Sequence, residues 1–270
     1  MPQQIAVLMA AYNAEKTLSQ AIDSLLRGTH PCKIYVVDDA SSTPVADLIA
    51  PDPERVEVIR LERNAGPAGA RNAGLARILA NGHEYVAIMD ADDVAHPERL
   101  AKQAAFLAAN PHVAAVGCWE RVIDENSEFI SYAAMPCDAK TIRNLLFVKM
   151  CVSHPALMVR AQVFKAVGLY RQSYYAAEDY ELVRRIAARY DVANLPEYLI
   201  EYRISSNGMS ARHRKRQLID RLRIQVAYFD PFKWQAWYGV IRTLVQVVLP
   251  LKRKLPDTIK PARAKMLQAT

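Results

Sequence analysis

Hydrophobic residues in the first part of the chain fall into short unbroken runs, and helical spacing follows most of them. The run from Ile5 to Ala11 is apolar at every position, which is typical of a strand buried on both faces of a parallel sheet. Leu18, Ile22 and Leu25 then recur at the intervals of a helix. Such patterns predict strands over residues 5–11, 33–37, 56–61 and 85–90. Their alternation with helices predicts a mostly parallel, doubly wound sheet over about the first 110 residues.

The fourth predicted strand ends in a group of carboxylates. Its apolar run, 86–89, leads directly into Asp90, Asp92 and Asp93. These acids should lie at the carboxyl edge of the sheet, where open α/β sheets bind ligands. Two carboxylates one residue apart on a turn offer hard oxygen ligands to Mg2+ or Mn2+. The alternative is that Asp92 or Asp93 caps a helix that begins near Pro97.

After Pro111 the pattern becomes mixed, with shorter predicted strands and less regular helices. A helix carrying Leu182, Val183 and Ile186 follows the pair Glu178-Asp179. Further strands are predicted over 114–118, 128–132, 155–159, 192–195 and 199–203, and helices over 141–147 and 161–167. We therefore expect one α/β domain over 1–210, with a parallel half (1–110) and a mixed half (111–210), followed by a helical extension (211–270).

The charge of the chain is concentrated in that extension. The 270 residues carry a formal net charge of +7, and 51% of them are hydrophobic, which is enough for a substantial core. Residues 212–270 hold 14 Lys or Arg against three acids, a net charge of +11, which leaves −4 for residues 1–211. The basic character therefore belongs to the tail and not to the α/β domain.

Cysteine usage and the first residues suggest a cytoplasmic protein. The four cysteines lie far apart without a Cys-x-x-Cys pair, so neither a zinc site nor a disulfide framework is indicated. The initial Met-Pro-Gln-Gln lacks the basic lead-in of a signal peptide, and no apolar run reaches transmembrane length. We expect a protein that is not exported.

Glycines Gly66, Gly69 and Gly74 precede or open a predicted helix. Two classes of nucleotide-binding enzyme would carry their glycines at other positions. A dehydrogenase would carry Gly-x-Gly-x-x-Gly after its first strand, whereas these glycines follow the third strand with another spacing. A nucleotidyltransferase acting on sugar phosphates would need a glycine-rich first loop, where this chain has Ala10-Ala11-Tyr12-Asn13. Both classes are therefore disfavoured.

Five short stretches in order resemble the family-2 inverting glycosyltransferases with a GT-A fold. They are Ala10-Ala11-Tyr12-Asn13, Val36-Val37-Asp38-Asp39-Ala40-Ser41-Ser42, Asn64-x-Gly66-x-x-x-Ala70-Arg71-Asn72, Asp90-Ala91-Asp92-Asp93 and Glu178-Asp179. The similarity spans roughly residues 4–205. It implies a Rossmann-like GT-A sheet in which residues 1–110 bind the nucleotide and residues 111–210 face the acceptor.

The resemblance assigns a set of residues to the nucleotide-sugar donor, which we expect to be UDP-linked. Asp39 is expected to accept a hydrogen bond from the N–H of a uracil ring, and Arg71 to lie near the diphosphate. The alternatives are that the Asp38-Asp39 pair caps a turn and that Arg71 is an ordinary helix charge. The first loop around the donor is expected to comprise Ala11, Tyr12 and Asn13, with Glu15 nearby.

The resemblance also implies a cofactor, Mn2+ or Mg2+. Asp90, with the neighbouring Ala91, is expected at the ribose and to assist at the metal ion, whereas Asp92 is expected to bind the ion directly. Asp93 is expected to lie behind them. Some relatives carry a histidine near the end of the catalytic region, but the stretch Tyr202-Arg203-Ile204-Ser205-Ser206-Asn207 has none. A third protein ligand is therefore left open, and water is an alternative.

Asp179 aligns with the general base of the family. Inversion at the anomeric carbon needs one carboxylate to take the proton of the acceptor hydroxyl as its oxygen attacks. Glu178 is expected beside the base, and His154 on the acceptor side. The alternatives are that Glu178 and Asp179 only stabilise a helix N-terminus and that His154 is an ordinary loop residue.

The basic tail contains a helix with an unusual face. From Trp234 to Leu251 the small or polar positions Gln235, Gly239, Arg242 and Gln246 form one narrow stripe on an otherwise apolar and aromatic helix. The helix is expected to pack into the protein or an oligomer partner, or to lie at a membrane surface with residues 212–254 against anionic lipid. Nucleic-acid binding is not expected.

The sequence thus predicts an inverting, metal-dependent glycosyltransferase. It would transfer a sugar from a nucleotide-sugar to a glycan or lipid-linked acceptor in bacterial-type cell-surface polysaccharide or lipopolysaccharide assembly. We expect it in the cytoplasm or at the inner face of the cytoplasmic membrane. The alternatives are a sugar-nucleotide-binding protein without turnover and a nucleotidyltransferase.

Overall fold

A computed structural model describes residues 4–205 and 213–249, and its centre is one nine-stranded sheet. The strand order is β3-β2-β1-β4-β8-β6-β9-β5, and β7 pairs with β6 beside this row. The strands are β1 (Ile5–Ala11), β2 (Cys32–Asp38), β3 (Val56–Arg60), β4 (Tyr85–Ile88), β5 (Val94–Ala95), β6 (Val113–Ile123), β7 (Phe129–Ala133), β8 (Met158–Arg160) and β9 (Asp191–Arg203).

The first four long strands form the parallel half predicted from the sequence. β1 lies between β2 and β4, and β2 pairs with β3, in every case in parallel. Both faces of these strands are covered, which explains why β1 and β4 are almost continuously apolar. Their carboxyl ends therefore meet along one edge, the edge that carries the predicted site residues.

The second half of the sheet is mixed, as expected, but its boundaries differ from the prediction. β8 is antiparallel to both β4 and β6, and β9 runs parallel to β6. The two short strands predicted over 192–195 and 199–203 are one strand, β9, whose register with β6 shifts near Trp119. That irregularity accommodates Pro196, which lies between the two predicted strands. The two-residue β5 was not predicted.

Helices cover both faces of the sheet and define two buried clusters. Leu75, Phe164 and Leu182 belong to one cluster, and Ile22 and Leu100 to the other. The helices are α1 (Leu18–Leu26), α2 (Gly66–Ala80), α3 (Arg99–Ala109), α4 (Ala139–Leu145), α5 (Ala161–Val167), α6 (Glu178–Ala187), α7 (Arg214–Ala227) and α8 (Trp234–Val248). A doubly covered sheet follows, in agreement with the predicted fold class.

The C-terminal extension forms α7 and α8 where the structure describes it. The helix predicted from Trp234 to Leu251 corresponds to α8, which ends at Val248. The basic cluster Lys252-Arg253-Lys254 lies outside the described residues. Among the described residues, none of the helices is long and apolar enough to cross a bilayer.

Helix α2 approaches the sheet unusually closely at Gly74. A Cβ atom at this position would lie 2.4 Å from Leu8 Cδ1 and 2.8 Å from Val37 Cγ2, well inside van der Waals contact. The absence of a side chain thus lets α2 rest directly on β1 and β2. Because α2 also carries Arg71, this close approach fixes the height of that guanidinium above the sheet edge.

We expect Gly74→Ala to destabilise the fold by about 1–3 kcal/mol, because the added methyl overpacks the interface of α2 with the sheet. In an exposed helix the same change would stabilise by about 1 kcal/mol. Ala76→Gly, at an exposed position of α2, measures that helix-propensity effect alone. Urea unfolding of both variants checks the prediction, and a Gly74→Ala protein as stable as the parent would contradict it.

Candidate active site

Asp38 holds the loop after β2 in shape and joins it to the end of β3. Its two oxygens accept hydrogen bonds from the backbone N–H groups of Ser41 (2.8 Å) and Val45 (3.1 Å), and Arg60 forms an ion pair with it. Burial opposes ionisation, but these donors hold the pKa of Asp38 below its ordinary value. Asp38 therefore caps a turn. This was the alternative role expected for the Asp38-Asp39 pair, and it applies to Asp38.

Asp39 links the β2 loop to the start of α2. Its backbone N–H donates to Ala11 O (2.9 Å), and its Oδ1 accepts a hydrogen bond from the N–H of Ala65 (2.7 Å). Burial and then the charge of Asp38 raise its pKa, against the lowering effect of the backbone donors at Ala65 and Gly66. The predicted donor residues Ala11 and Asp39 thus lie side by side at the sheet edge.

Among the other residues of the loop after β1, Asn13 has a structural contact, and Tyr12 and Glu15 are exposed. Asn13 adopts a positive φ of 50° and accepts a hydrogen bond from Ser42 N–H through its side chain (2.9 Å), so its amide joins the two loops. Tyr12 is 55% exposed, which leaves its ring accessible to a planar ligand. Glu15 is also exposed on the solvent side of this loop.

Arg71 joins two carboxylates from distant parts of the chain. Its guanidinium nitrogens lie 2.9 Å from Asp90 Oδ1 and 3.0 Å from Glu178 Oε1, across 19 and 107 residues of sequence. The side chain of Arg71 is only 11% exposed, so these are buried ion pairs. Although burial alone would raise the pKa of Asp90, Arg71 and more distant positive groups hold it below its ordinary value. Arg71 is therefore not an ordinary solvent-facing helix charge.

Glu178 and Asp179 begin α6 and differ in their surroundings. Glu178 is buried, and burial together with the charge of Asp179 raises its pKa to about 7 despite the pairing with Arg71. Asp179 is half-buried, and its charge reaches both Glu178 and His154. The two acids also occupy the first helical turn, where the helix dipole favours them.

His154 is buried and forms a hydrogen bond between its Nε2 and the hydroxyl oxygen of Tyr170 (2.8 Å). Burial, and then the charge of Arg71, lower its pKa to about 4 in spite of Asp179 and Asp90. The imidazole is consequently neutral at physiological pH. It is a partnered side chain of this cluster and not an isolated loop residue.

Tyr170 and Asn72 complete the cluster and were not assigned roles from the sequence. Asn72 donates from Nδ2 to Tyr170 O and accepts from Tyr170 N–H through Oδ1, both at 2.9 Å. The Arg71 guanidinium lies 5.8 Å from the centroid of the Tyr170 ring. Consecutive residues of α2 thus hold the carboxylates and the partner of His154.

The acids after β4 are held from behind by Arg203. The backbone N–H of Arg203 donates to Asp93 Oδ1 (2.9 Å), and its Nε donates to the Asp92 carbonyl oxygen (2.7 Å). Asp93 is buried. That it supports Asp90 and Asp92 from behind stays a prediction. Neither Asp92 nor Asp93 caps α3, which starts after Glu98 without a side-chain cap.

Arg99, the first residue of α3, fastens the end of β4 from the other side. It is fully buried and donates to the carbonyl oxygens of Ile88 (2.7 Å) and Pro155 (2.8 Å). The residue before Pro155 is His154, so this one side chain connects the end of β4 with the segment that carries the imidazole. Nothing in the local sequence marks Arg99 for this role.

The carboxylates Asp90 and Asp92 suit a divalent cation, although their geometry does not by itself define a complete site. In residues 4–205 and 213–249 no group of three or more His, Cys, Asp or Glu side chains is placed to hold a metal ion. Burial and then the charge of Asp90 raise the pKa of Asp92 to about 6. Two carboxylates that repel each other in this way are hard oxygen donors whose charge a cation would offset.

Comparison with known sequences identifies relatives along most of the chain. The model of the family "Glycosyl transferase family 2" matches residues 6–168. The amylovoran biosynthesis glycosyltransferase AmsE of Erwinia amylovora is 31% identical over 77% of this chain and 79% of its own length. The O-antigen biosynthesis glycosyltransferase WbnJ of Escherichia coli is 32% identical over 76% of this chain and 81% of its own length.

Comparison with solved structures supports the same fold. S. aureus TarS in complex with UDP-GlcNAc has a TM-score of 0.69 at 19% identity, covering 94% of this chain and 77% of that chain. The mannosyltransferase PcManGT from Pyrobaculum calidifontis, in complex with GDP-Man and Mn2+, has a TM-score of 0.61 at 18% identity, covering 92% and 71%. At these identities the likeness concerns the fold.

The sheet order and the acidic carboxyl edge thus define a GT-A glycosyltransferase fold, as the sequence predicted. The family match and the identity to its relatives show that this chain belongs to glycosyl transferase family 2.

We expect Arg71→Met to destabilise the protein by about 3–5 kcal/mol, because it leaves two carboxylates without their buried partner. Arg77→Met is the matched control on the same helix. Arg77 pairs with Glu57 but is 55% exposed, so its loss should cost below about 1 kcal/mol. Denaturant unfolding measures both, and equal losses would show that Arg71 contributes no more than a surface pair.

Proposed function

We propose that this glycosyltransferase is an inverting, metal-dependent enzyme that uses a nucleotide-sugar, UDP-linked, as donor. Its acceptor would be a glycan or lipid-linked glycan of cell-surface polysaccharide or lipopolysaccharide assembly. The observation that carries the proposal is the bridge from Arg71 to Asp90 and Glu178. It brings the acids after β4 and the acids that open α6 around one guanidinium, although they are far apart in sequence.

The donor would bind at the ends of β1 and β2. Asp39 lies next to Ala11 and the start of α2, where its carboxylate is suited to accept the N–H of a uracil ring. The exposed ring of Tyr12 is suited to stack on the base. Structures of TarS with UDP and with UDP-GlcNAc, which share the fold, support a uridine donor. In this proposal residues 1–110 form the nucleotide-binding half and residues 111–210 the acceptor half.

Asp179 is the best candidate for the general base. Glu178 is occupied by Arg71, and with a pKa of about 7 it is partly protonated near neutral pH. Asp179 is half-buried and is the member of the pair that does not bind Arg71 in this structure. It would take the proton of the acceptor hydroxyl while that oxygen attacks the anomeric carbon and the bond to the nucleotide diphosphate breaks, which inverts the configuration.

Asp92, assisted by Asp90, would hold the divalent cation. Bound there, Mn2+ or Mg2+ would neutralise the charge that develops on the departing diphosphate. Arg71 keeps Asp90 ionised, so that its second oxygen remains a negative ligand. The complex of PcManGT with GDP-Man and Mn2+, which shares the fold, supports the use of a divalent cation.

The names of the relatives support the biosynthetic role. AmsE is named for amylovoran biosynthesis and WbnJ for O-antigen biosynthesis. His154, neutral and held by Tyr170 close to Asp179, would line the acceptor side. We place the enzyme at the cytoplasmic face of the membrane, where a lipid-linked acceptor is found, and assign the extension 211–270 to peripheral contact.

We expect Asp179→Asn to lower sugar transfer by roughly 10²–10⁴-fold, because the amide cannot accept the proton. Donor binding should persist, and it is measured as the rise in melting temperature that UDP-sugars cause. Asp47→Asn removes one negative charge at an exposed position and should leave transfer unchanged.

Undiminished transfer in Asp179→Asn would contradict the assignment of the base. A parent protein that binds donor but neither transfers nor hydrolyses it would instead be a binding module. NMR of the product tests inversion separately, because the anomeric configuration must be opposite to that of the donor sugar.

We expect UDP to raise the melting temperature more in the presence of Mn2+ than in its absence, because a ligand that binds the folded form stabilises it. Asp92→Asn should abolish the increment due to manganese and keep the shift due to UDP alone. Asp39→Asn should reduce the UDP shift in both conditions. A manganese increment that survives Asp92→Asn would place the metal elsewhere.

A further inference from the structure

The orientation of α8 is fixed by its small residues. Ala236, Gly239 and Thr243 face the protein and are buried. A Cβ atom at Gly239 would lie 2.1 Å from Phe147 O, so no other residue fits there without movement of the backbone. Gln225 of α7 donates to the same carbonyl oxygen (3.1 Å). The inward face of α8 is therefore formed by Ala236, Gly239 and Thr243. Of the stripe seen in the sequence only Gly239 is buried, whereas Gln235, Arg242 and Gln246 are half-buried at its edge.

The large apolar side chains of α8 point away from the protein as a consequence. Their spacing of three and four residues makes them one continuous face along the helix, which we call the outer face. Phe232, just before the helix, is 95% exposed and extends it. The members of the outer face on the helix are Trp234, Trp237, Tyr238, Ile241, Leu244, Val245 and Val248. A contiguous apolar patch of this kind marks a surface that is covered in use.

The chemistry along the outer face changes from one end to the other. Trp234, Trp237 and Tyr238 occupy its first turns, whereas Ile241, Val245 and the other aliphatic residues occupy the rest. Indole and phenol rings combine an apolar body with a polar group, which suits the boundary between water and hydrocarbon. The helix is roughly 22 Å long, too short to span a hydrocarbon core of about 30 Å, so it would lie along a surface.

Charge distinguishes a lipid surface from a second copy of the chain. Residues 231–256 contain no Asp or Glu, but they contain Lys233, Arg242 and the cluster Lys252-Arg253-Lys254. Two copies meeting through the outer face would bring these positive charges together, which opposes association. An anionic bilayer instead offers complementary charge around the apolar face.

We infer that α8 docks on an anionic lipid surface, with its outer face in the headgroup and acyl boundary and its basic residues at the lipid phosphates. The inference specifies the peripheral contact proposed above by its residues and its lipid, and it does not depend on the proposed reaction. The segment 147–154 contacts α8 at Phe147 and carries His154 at its other end. Docking through α8 would therefore hold the membrane next to the segment that leads into the proposed acceptor side.

Flotation of the full chain with lipid vesicles tests the inference. We expect weak binding to phosphatidylcholine vesicles and at least roughly tenfold stronger binding when about a third of the lipid is phosphatidylglycerol. Binding should weaken at high salt, because the electrostatic part is screened. Equal and negligible binding to both kinds of vesicle would overturn the inference.

A pair of matched variants identifies the surface that binds. Ile241→Ser with Val245→Ser removes aliphatic area from the outer face and should reduce vesicle binding by roughly tenfold or more. Phe129→Ser removes a similarly exposed apolar side chain on β7 and should leave binding unchanged. Equal effects of both variants would overturn the inference. If the double variant does not fold, Lys233→Gln with Lys252→Gln provides the test, because loss of charge should weaken binding to phosphatidylglycerol vesicles.

Tryptophan fluorescence reports the position of α8 directly. The chain has three tryptophans, and Trp234 and Trp237 belong to the outer face. In a Trp119→Phe background, vesicles with brominated acyl chains should quench the remaining emission. Two results would overturn the inference. One is emission that responds to protein concentration in the absence of lipid, which indicates a second copy. The other is emission that responds to removal of residues 250–270 and not to lipid, which indicates cover by the chain's own tail.

Discussion

The site depends on one buried guanidinium. Arg71 pairs with Asp90 at the end of β4 and with Glu178 at the start of α6; Arg71 and Glu178 are almost removed from water, and Asp90 is half-buried. Burying a charge is costly unless it is paired, so each carboxylate requires the arginine and the arginine requires both. Because α2 rests on the sheet at Gly74, the guanidinium has little freedom to follow a displaced partner. The parallel half and the mixed half of the sheet are therefore held in one arrangement by electrostatics as well as by the apolar core.

Pairs of adjacent acids occur at three places along the same edge, and in each pair one acid has a structural partner. Asp38 binds two backbone N–H groups of its own loop, Asp93 binds the backbone of Arg203, and Glu178 binds Arg71. The neighbours Asp39, Asp92 and Asp179 are the acids to which the proposed chemistry falls. A carboxylate that stiffens a loop allows the next one to face a ligand without adding flexibility, which is the requirement for a preorganised site.

The sequence predicted the parallel half of the fold well, because strands buried on both faces have a continuous apolar signature that short-range pattern reading detects. It divided β9 into two strands, because Pro196 looks like a break unless the irregular pairing with β6 is known. The sequence showed the candidate acids as pairs. It did not show which acid of each pair has a structural partner, because partners such as Arg60 and Arg203 are remote in sequence. Tyr170 and Arg99 were missed for the same reason: a single tyrosine or arginine carries no local mark of a long-range contact.

Asn72 gives α2 a second attachment immediately after Arg71. Its amide forms two reciprocal hydrogen bonds with the backbone of Tyr170, while the preceding residue holds the carboxylates. One turn of helix thus acts as a common pivot: a tilt that moved Arg71 would pull on Tyr170, and through its hydroxyl on His154. The proposed donor and acceptor sides are consequently joined by an unbroken chain of direct contacts from Arg71 to His154.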